Sequence, residues 1–312
     1  MSAFVVFNPR SGNGRTAREW PDIESSLRFI YPRLTAVHTS KRGQATGLVR
    51  NAIQQGYEDI VAVGGDGTIN EAVNGFFDEE GSIAPDAVFS FVTSGTGGDF
   101  RKSFGIEAGW AAGVTRLADA KIRNVDVGRV SCLSPAGVNL IRYFVNIGSF
   151  GLSGAVVDSV NRARVAKLFG GRFAFALHSA VDMLTYRNRP VRIRIDDVFD
   201  EIVAVSTVAV ANGRYFGAGM NVAPDAKPDD GLFDIVVMGA APRTEAMAAM
   251  RLLYTGEHLT LPHVRAYRGR TLTASPVEET RGRPVLIDLD GESGGRIPAT
   301  FEILPGALRL RC

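Results

Sequence analysis

The 312-residue chain is short of several things, and each shortage removes a class of protein. It has 2 cysteines, Cys132 and Cys312, which form no metal spacing and no disulfide framework, so a reducing, cytoplasmic setting is expected. Its 4 histidines, His38, His178, His258 and His263, are scattered and read as structural or surface residues. There is no excess of one charge. Lys plus Arg total 35 against 33 Asp plus Glu, which gives no support to general nucleic-acid binding. No basic region followed by a long apolar core stands at the start, so no signal peptide is expected. The longest apolar run, 202–211, is far too short to span a bilayer. Internal repeats, heptads and low-complexity linkers are absent. What remains is ordinary for a soluble globular protein, 45% hydrophobic and 22% charged, at a length that suits two domains.

The first part alternates strand and helix signals. Short apolar runs at 3–7, 34–38, 59–63 and 88–92 read as strands, with helical stretches after them, among them 44–55, 71–77 and 107–117. Such alternation predicts a mostly parallel, Rossmann-like sheet covered on both faces, with ligands beyond the carboxyl ends of its strands. From Asp126 strand signals dominate, at 127–131, 140–147, 191–195, 202–211, 233–238, 271–274, 285–289 and 301–304. Two helical stretches, 172–186 and 243–254, interrupt them. The expected organisation is an α/β nucleotide-binding domain over 1–125 and an antiparallel, β-sandwich-like domain over 126–312, whose last strand has the option of returning to the first domain.

Three glycine-rich loops follow strands of the first part. Val63-Gly64-Gly65-Asp66-Gly67-Thr68-Ile69-Asn70-Glu71 is the most telling. Its glycines permit a sharp turn and leave amides bare for an anion. A carboxylate there makes sense if a divalent cation accompanies the anion, as in a magnesium nucleotide; the plainer reading is a strand-to-helix turn with a capping Asp. Asn8 to Arg15 lacks the order of a P-loop but offers small polar groups, and the third loop holds Gly95, Thr96, Gly97, Gly98 and Asp99. Together they make a phosphate cradle. Further on, a tight acidic loop around Asp229 and Asp230 suits a hard cation of the magnesium or calcium type, or is an exposed turn with capping aspartates. Asp290 and Glu292 flank Gly291 after an apolar strand. On a strand they would share a face and reach one site as a base and an orienting group; as a hairpin turn they would be solvated acids.

These residues, in this order, resemble the diacylglycerol kinase catalytic family of bacterial lipid kinases, related to sphingosine and ceramide kinases. The resemblance is carried by Asn8-Pro9-x-Ser11-Gly12, Gly64-Gly65-Asp66-Gly67-Thr68-x-Asn70-Glu71, Gly95-Thr96-x-x-Asp99-Phe100, Asp126-Val127-Gly128, the segment from Pro224 to Asp234 with its Asp229-Asp230-Gly231, and Asp288-Leu289-Asp290-Gly291-Glu292. It spans essentially the whole chain. Gly98 stands where many members have Asn.

The resemblance implies that Asn8, Pro9, Arg10, Ser11, Gly12, Thr39, Gly64, Gly65, Asp66, Gly67, Thr68, Ile69, Asn70 and Thr96 contact ATP, with Asp66 bearing on its magnesium ion. It implies a second, structural cation, magnesium or calcium, held by the Asp230 carboxylate and the carbonyls of Lys227 and Leu232, with Asp126 linked through water. It places the proton acceptor in the Asp290-Gly291-Glu292 motif, where the longer reach favours Glu292 and leaves Asp290 to position the hydroxyl or a metal-bound water. The function expected is an ATP-dependent lipid kinase, phosphorylating a lipid hydroxyl such as that of diacylglycerol in a cleft between the domains. The alternatives are an NAD kinase-like enzyme and a nucleotide-binding regulator without turnover. A lipid acceptor implies peripheral membrane contact, for which Arg162, Arg164, Lys167 and Arg172 among apolar neighbours are the candidate patch. The oligomeric state stays open, a homodimer among the options.

Overall fold

A computed structural model describes residues 2–94, 98–162, 185–277 and 284–312. In the first part the strands β1 (Ser2–Phe7), β2 (Arg33–His38), β3 (Asp59–Gly64) and β4 (Val88–Thr93) pair in parallel in the order β2-β1-β3-β4. Their side chains alternate between two cores. Ala3, Val5, Val61 and Val63 face α1 (Ser11–Ile30) and α5 (Trp110–Asp119). Phe4, Val6, Ile60 and Ala62 face α2 (Gln44–Gln54) and α3 (Asp66–Asn74). Strands buried on both sides read as unbroken apolar runs, which is why they show in the sequence. A short helix α4 (Asp99–Lys102) follows the third loop.

The second part is antiparallel. It contains β5 (Ile122–Leu133), β6 (Asn139–Phe144), β7 (Ile147–Gly151), β8 (Arg189–Ile195), β9 (Phe199–Ala211), the short pair β10 (Tyr215–Phe216) and β11 (Met220–Asn221), β12 (Phe233–Gly239), β13 (Val264–Gly269), β14 (Thr271–Pro276), β15 (Leu286–Leu289) and β16 (Glu292–Arg311). One face of β9 presents Val208 and Val210 to a core shared with Phe144, Phe233 and Phe301. The other presents Ala209 and Ala211 to a smaller cluster with Leu253 and Val264. Helices α6 (Leu152–Arg162) and α7 (Arg243–Thr255) flank this second face.

β16 joins the two parts. Its 20 residues pair antiparallel with β15, β14 and β5, and near its end Arg309 and Leu310 pair in parallel with Val88 and Phe89 of β4. Among the described residues the strands therefore form one 14-stranded sheet beside the small β10–β11 pair. Several expectations are adjusted. Helix α3 starts at Asp66 rather than 71: Gly64 ends β3, Gly65 caps the helix, and Asp66, Gly67 and Thr68 lie in its first turn. The single strand expected at 140–147 divides into β6 and β7. The stretch 172–184 lies outside the described residues.

Candidate functional site

The carboxyl ends of the parallel strands bring the first two glycine loops together. Asn8 is tied to the neighbouring strand by its amide, which donates to the Val63 carbonyl at 3.0 Å. Its side-chain oxygen accepts from the Arg10 amide at 3.0 Å, and its Nδ2 donates to Thr68 Oγ1 at 3.4 Å. Gly12, Asn13 and Gly14 all have positive φ at the start of α1, a turn that glycine makes inexpensive. Gly64 is required by closeness: a Cβ there would meet Thr68 Oγ1 at 2.6 Å. The result is a polar pocket of about 280 Å³ whose wall includes Asn8, Arg10, Ser11, Thr39, Gly65 and Thr68. Bare amides at the N-terminus of α3 and the cations of Arg10, Lys41 and Arg42 suit an anionic ligand.

The other residues expected at the nucleotide are placed differently. Ile69 is buried in the core beneath the loop. Asn70 spends its amide on the Tyr143 carbonyl at 3.1 Å and Asp290 Oδ2 at 2.9 Å. Pro9 and Gly12 shape the first loop outside the pocket wall. Thr96 lies outside the described residues, as do Arg164, Lys167 and Arg172 of the basic patch.

Asp66 opens α3. Its Oδ2 accepts from the Gly98 and Asp99 amides at 2.8 and 3.2 Å, while Oδ1 is buried without a hydrogen-bond partner. Burial pushes its pKa up, opposed by the Gly98 amide and reinforced by the Asp99 charge. An orphaned buried carboxylate oxygen is what a cation accompanying the phosphates would satisfy, so this position fits the metal that the resemblance implies. Gly98 contributes through its backbone. Its φ of 100°, and Arg101 Nε at 2.7 Å from where a Cβ would stand, account for glycine at this position.

Of the two readings of the motif at the end of β15, the structure has the hairpin. Asp290 and Gly291 have φ of 53° and 84° and form its two-residue turn, so Asp290 and Glu292 are not alternate positions of one strand. Asp290 is not the solvated acid that the hairpin reading expected. Its Oδ1 accepts from the Asn146 and Ile147 amides at 3.0 and 2.9 Å, and its Oδ2 from the Val145 amide and Asn70 Nδ2 at 3.0 and 2.9 Å. Four donors occupy the lone pairs of one carboxylate, so Asp290 clasps the β6–β7 junction to α3. Asp288, which carried no role in the sequence reading, is buried beside it. It accepts from Ser149 Oγ at 3.2 Å and the Gly291 amide at 2.8 Å. Burial first, and then the charge of Asp290, push its pKa up to about 8.

Glu292 projects from the start of β16 toward the nucleotide loop. A Cβ on Gly67 would lie 2.5 Å from its Oε1, and its other oxygen pairs with Arg42. A second, larger cavity of about 560 Å³ opens on the far side. Its apolar wall comes from α6, α7 and neighbouring strands, including Val156, Met220, Met238, Met250, Leu253 and Leu261. The charged residues lining it, among those described, are acidic: Asp66, Asp99, Asp288, Asp290 and Glu292. Among the described residues, only Gly67 and Glu292 line both cavities, so the two open on either side of that pair.

The residues expected around a structural cation lie close together: the Asp126 amide donates to the Pro228 carbonyl at 2.7 Å, which sets Asp126 against the 227–232 loop. Asp230 pairs with Arg268 and accepts from the Leu232 amide at 3.2 Å. Asp126 accepts from the Gly231 and Gly306 amides, each at 2.7 Å. Lys227 is exposed. Among the described residues no cluster of three or more His, Cys, Asp or Glu is placed to hold a metal. Arg268 also lies 3.6 Å from Asp234, and Arg123 pairs with Asp229. No helix of the described residues is long and apolar enough to cross a membrane.

Comparison with known proteins matches residues 2–130 to the diacylglycerol kinase catalytic domain and residues 146–312 to the YegS C-terminal NAD kinase beta sandwich-like domain. The chain is similar to a diacylglycerol kinase of Staphylococcus saprophyticus, 26% identical over 303 residues that cover 96% of this chain and 91% of that protein. A diacylglycerol kinase of Staphylococcus carnosus is 28% identical over 301 residues, covering 96% and 91%. A crystal structure of a diacylglycerol kinase from Bacillus anthracis shares the fold, with a TM-score of 0.70 at 24% identity over 99% of this chain and 96% of that one. Yeast NADH kinase shares it more distantly, with a TM-score of 0.50 at 10% identity over 99% and 82%.

Proposed function

This chain belongs to the diacylglycerol kinase catalytic family of bacterial lipid kinases, and from that premise we propose that it transfers the terminal phosphate of ATP to the hydroxyl of an uncharged lipid such as diacylglycerol. The observation that carries this reading is the meeting of a polar and an apolar cavity at Gly67 and Glu292. A phosphoryl donor on one side and a hydrocarbon-bearing alcohol on the other would have their reacting atoms at that boundary.

The roles follow from position. The N-terminus of α3 and the side chains of Asn8, Ser11, Thr39 and Thr68 bind the nucleotide's phosphates. Asp66 would hold the divalent cation that arrives with the nucleotide, which supplies charge to the transferring group. Glu292 accepts the proton of the attacking hydroxyl, because its carboxylate faces both cavities. Asp290 positions the turn that carries Glu292. The methionines of the apolar wall adapt to a flexible acyl chain. The apolar wall favours a hydrocarbon-bearing acceptor over a dinucleotide.

Labelled ATP offered with diacylglycerol, ceramide, a sphingosine-like amine, phosphatidylglycerol and NAD tests the reading. Label is expected in the uncharged lipids, and Glu292→Gln should cut kcat by about a hundredfold or more while nucleotide still binds. Transfer to NAD alone, or to no acceptor, would refute the proposal.

A further inference from the structure

Arg42 stands in the loop between β2 and α2, and its guanidinium pairs with the Glu292 carboxylate. The loop is fixed from below by α3. The Gly43 and Ala45 amides donate to the Glu71 carboxylate at 2.7 and 3.2 Å, and Thr46 Oγ1 donates to the Glu71 carbonyl at 2.8 Å. The Ser40 amide and hydroxyl both donate to Gln44 Oε1, at 2.7 and 2.9 Å. Gly43, with φ of 79°, makes the bend that sends the Arg42 side chain over the polar pocket. A long cation on a fixed base thus has two anions within its compass: Glu292, and whatever fills the pocket.

We propose that Arg42 is a latch on Glu292 that the nucleotide opens. Without nucleotide it occupies the carboxylate; when phosphates enter, they draw the guanidinium away and leave Glu292 free for the acceptor hydroxyl. This rests on reading the polar pocket as the nucleotide site. Several features favour the exchange. Side-chain exposures of 54% and 29% make the Arg42–Glu292 pair weak to break. A polyphosphate carries more charge than one carboxylate and presents the oxygen pairs that a guanidinium matches. The proton acceptor would then be released only when the phosphoryl donor is in place.

The test is a four-protein titration by calorimetry of the parent, Glu292→Gln, Arg42→Ala and the double variant with magnesium-ADP and with magnesium plus a non-hydrolysable ATP analogue. In the parent, part of the binding energy goes into detaching Arg42. Glu292→Gln should therefore bind roughly two- to fivefold tighter, the yield of one partly exposed ion pair. Arg42→Ala should bind more weakly than the parent, and the double variant should match Arg42→Ala with no gain from the glutamine. An equal gain in the Arg42→Ala background would overturn the latch, since Glu292 would then act only by repelling phosphate. No gain in Glu292→Gln would overturn it as well. Absence of binding in all four proteins, each checked by its melting curve, would bring down the nucleotide reading and the latch with it.

Discussion

Replacing Asp288 by asparagine should stabilise the protein at high pH and leave it unchanged at low pH. The Asp288 carboxyl is buried, accepts from Ser149 Oγ and the Gly291 amide, and has its pKa pushed up to about 8 by burial and by Asp290. In an unfolded chain the same group titrates near ~3.9. Between these values the folded protein holds a proton that the unfolded chain has released, so stability falls as pH rises. The favourable contribution is complete below about pH 4 and is lost as pH climbs through the folded value near 8. A span of about four pH units at ~1.4 kcal/mol each sets a ceiling of about 6 kcal/mol. Relaxation and water entry around the new charge bring the expected loss to ~2–4 kcal/mol. Asparagine keeps the shape, the Gly291 hydrogen bond and a group for Ser149, yet never ionises. Urea unfolding at pH 4, 6 and 8 should give nearly coincident curves at the first pH and a variant more stable by ~2 kcal/mol or more at the last. Parallel pH profiles for parent and variant would refute the burial argument.

Three further outcomes are expected. Asp66→Ala should weaken magnesium-nucleotide binding at least about tenfold and cost only ~1–2 kcal/mol of stability for the freed Gly98 and Asp99 amides; unchanged binding would remove Asp66 from the nucleotide site. Asp290→Asn should lower stability by ~2–4 kcal/mol, because its amide would face donors already committed to the carboxylate; an unaltered melting temperature with lost turnover would instead place Asp290 in the chemistry. Arg268→Ala should cost about 1 kcal/mol by leaving Asp230 and Asp234 unpaired; an unchanged melting temperature would remove this ion pair from the protein's stability.

Much of the first part was legible in the sequence, because strands buried on both faces appear as unbroken apolar runs and the glycine loops follow them directly. The second part was less so. β16 showed only as 301–304, since Gly294, Gly295, Pro298, Pro305 and Gly306 interrupt a strand of 20 residues whose pairing is decided by its neighbours. Helix α6 follows β7 without a break, so no turn signal marks its start, although Leu152, Val156 and Val157 carry helical spacing. The motif around Asp290 was visible, but its division of labour was not. That Asp290 is saturated by amides from 145–147, that Asp288 is buried and that Glu292 meets Arg42 are facts of tertiary contact between distant segments. No local pattern announces them.

The path of β16 also bears on how the polypeptide is made. The hydrogen-bonding edge of β4 waits for Arg309 and Leu310, which leave the ribosome more than two hundred residues after it. Leu308 and Leu310 complete a core that also contains Phe89 and Val125. The amino-terminal half therefore emerges with an open strand edge and an unfilled core, and it cannot finish folding by itself during translation. Since the same strand begins at Glu292, its docking seats that carboxylate and closes the parallel sheet in one event. A nascent chain should acquire phosphate-transfer competence abruptly, with its last strand, rather than domain by domain.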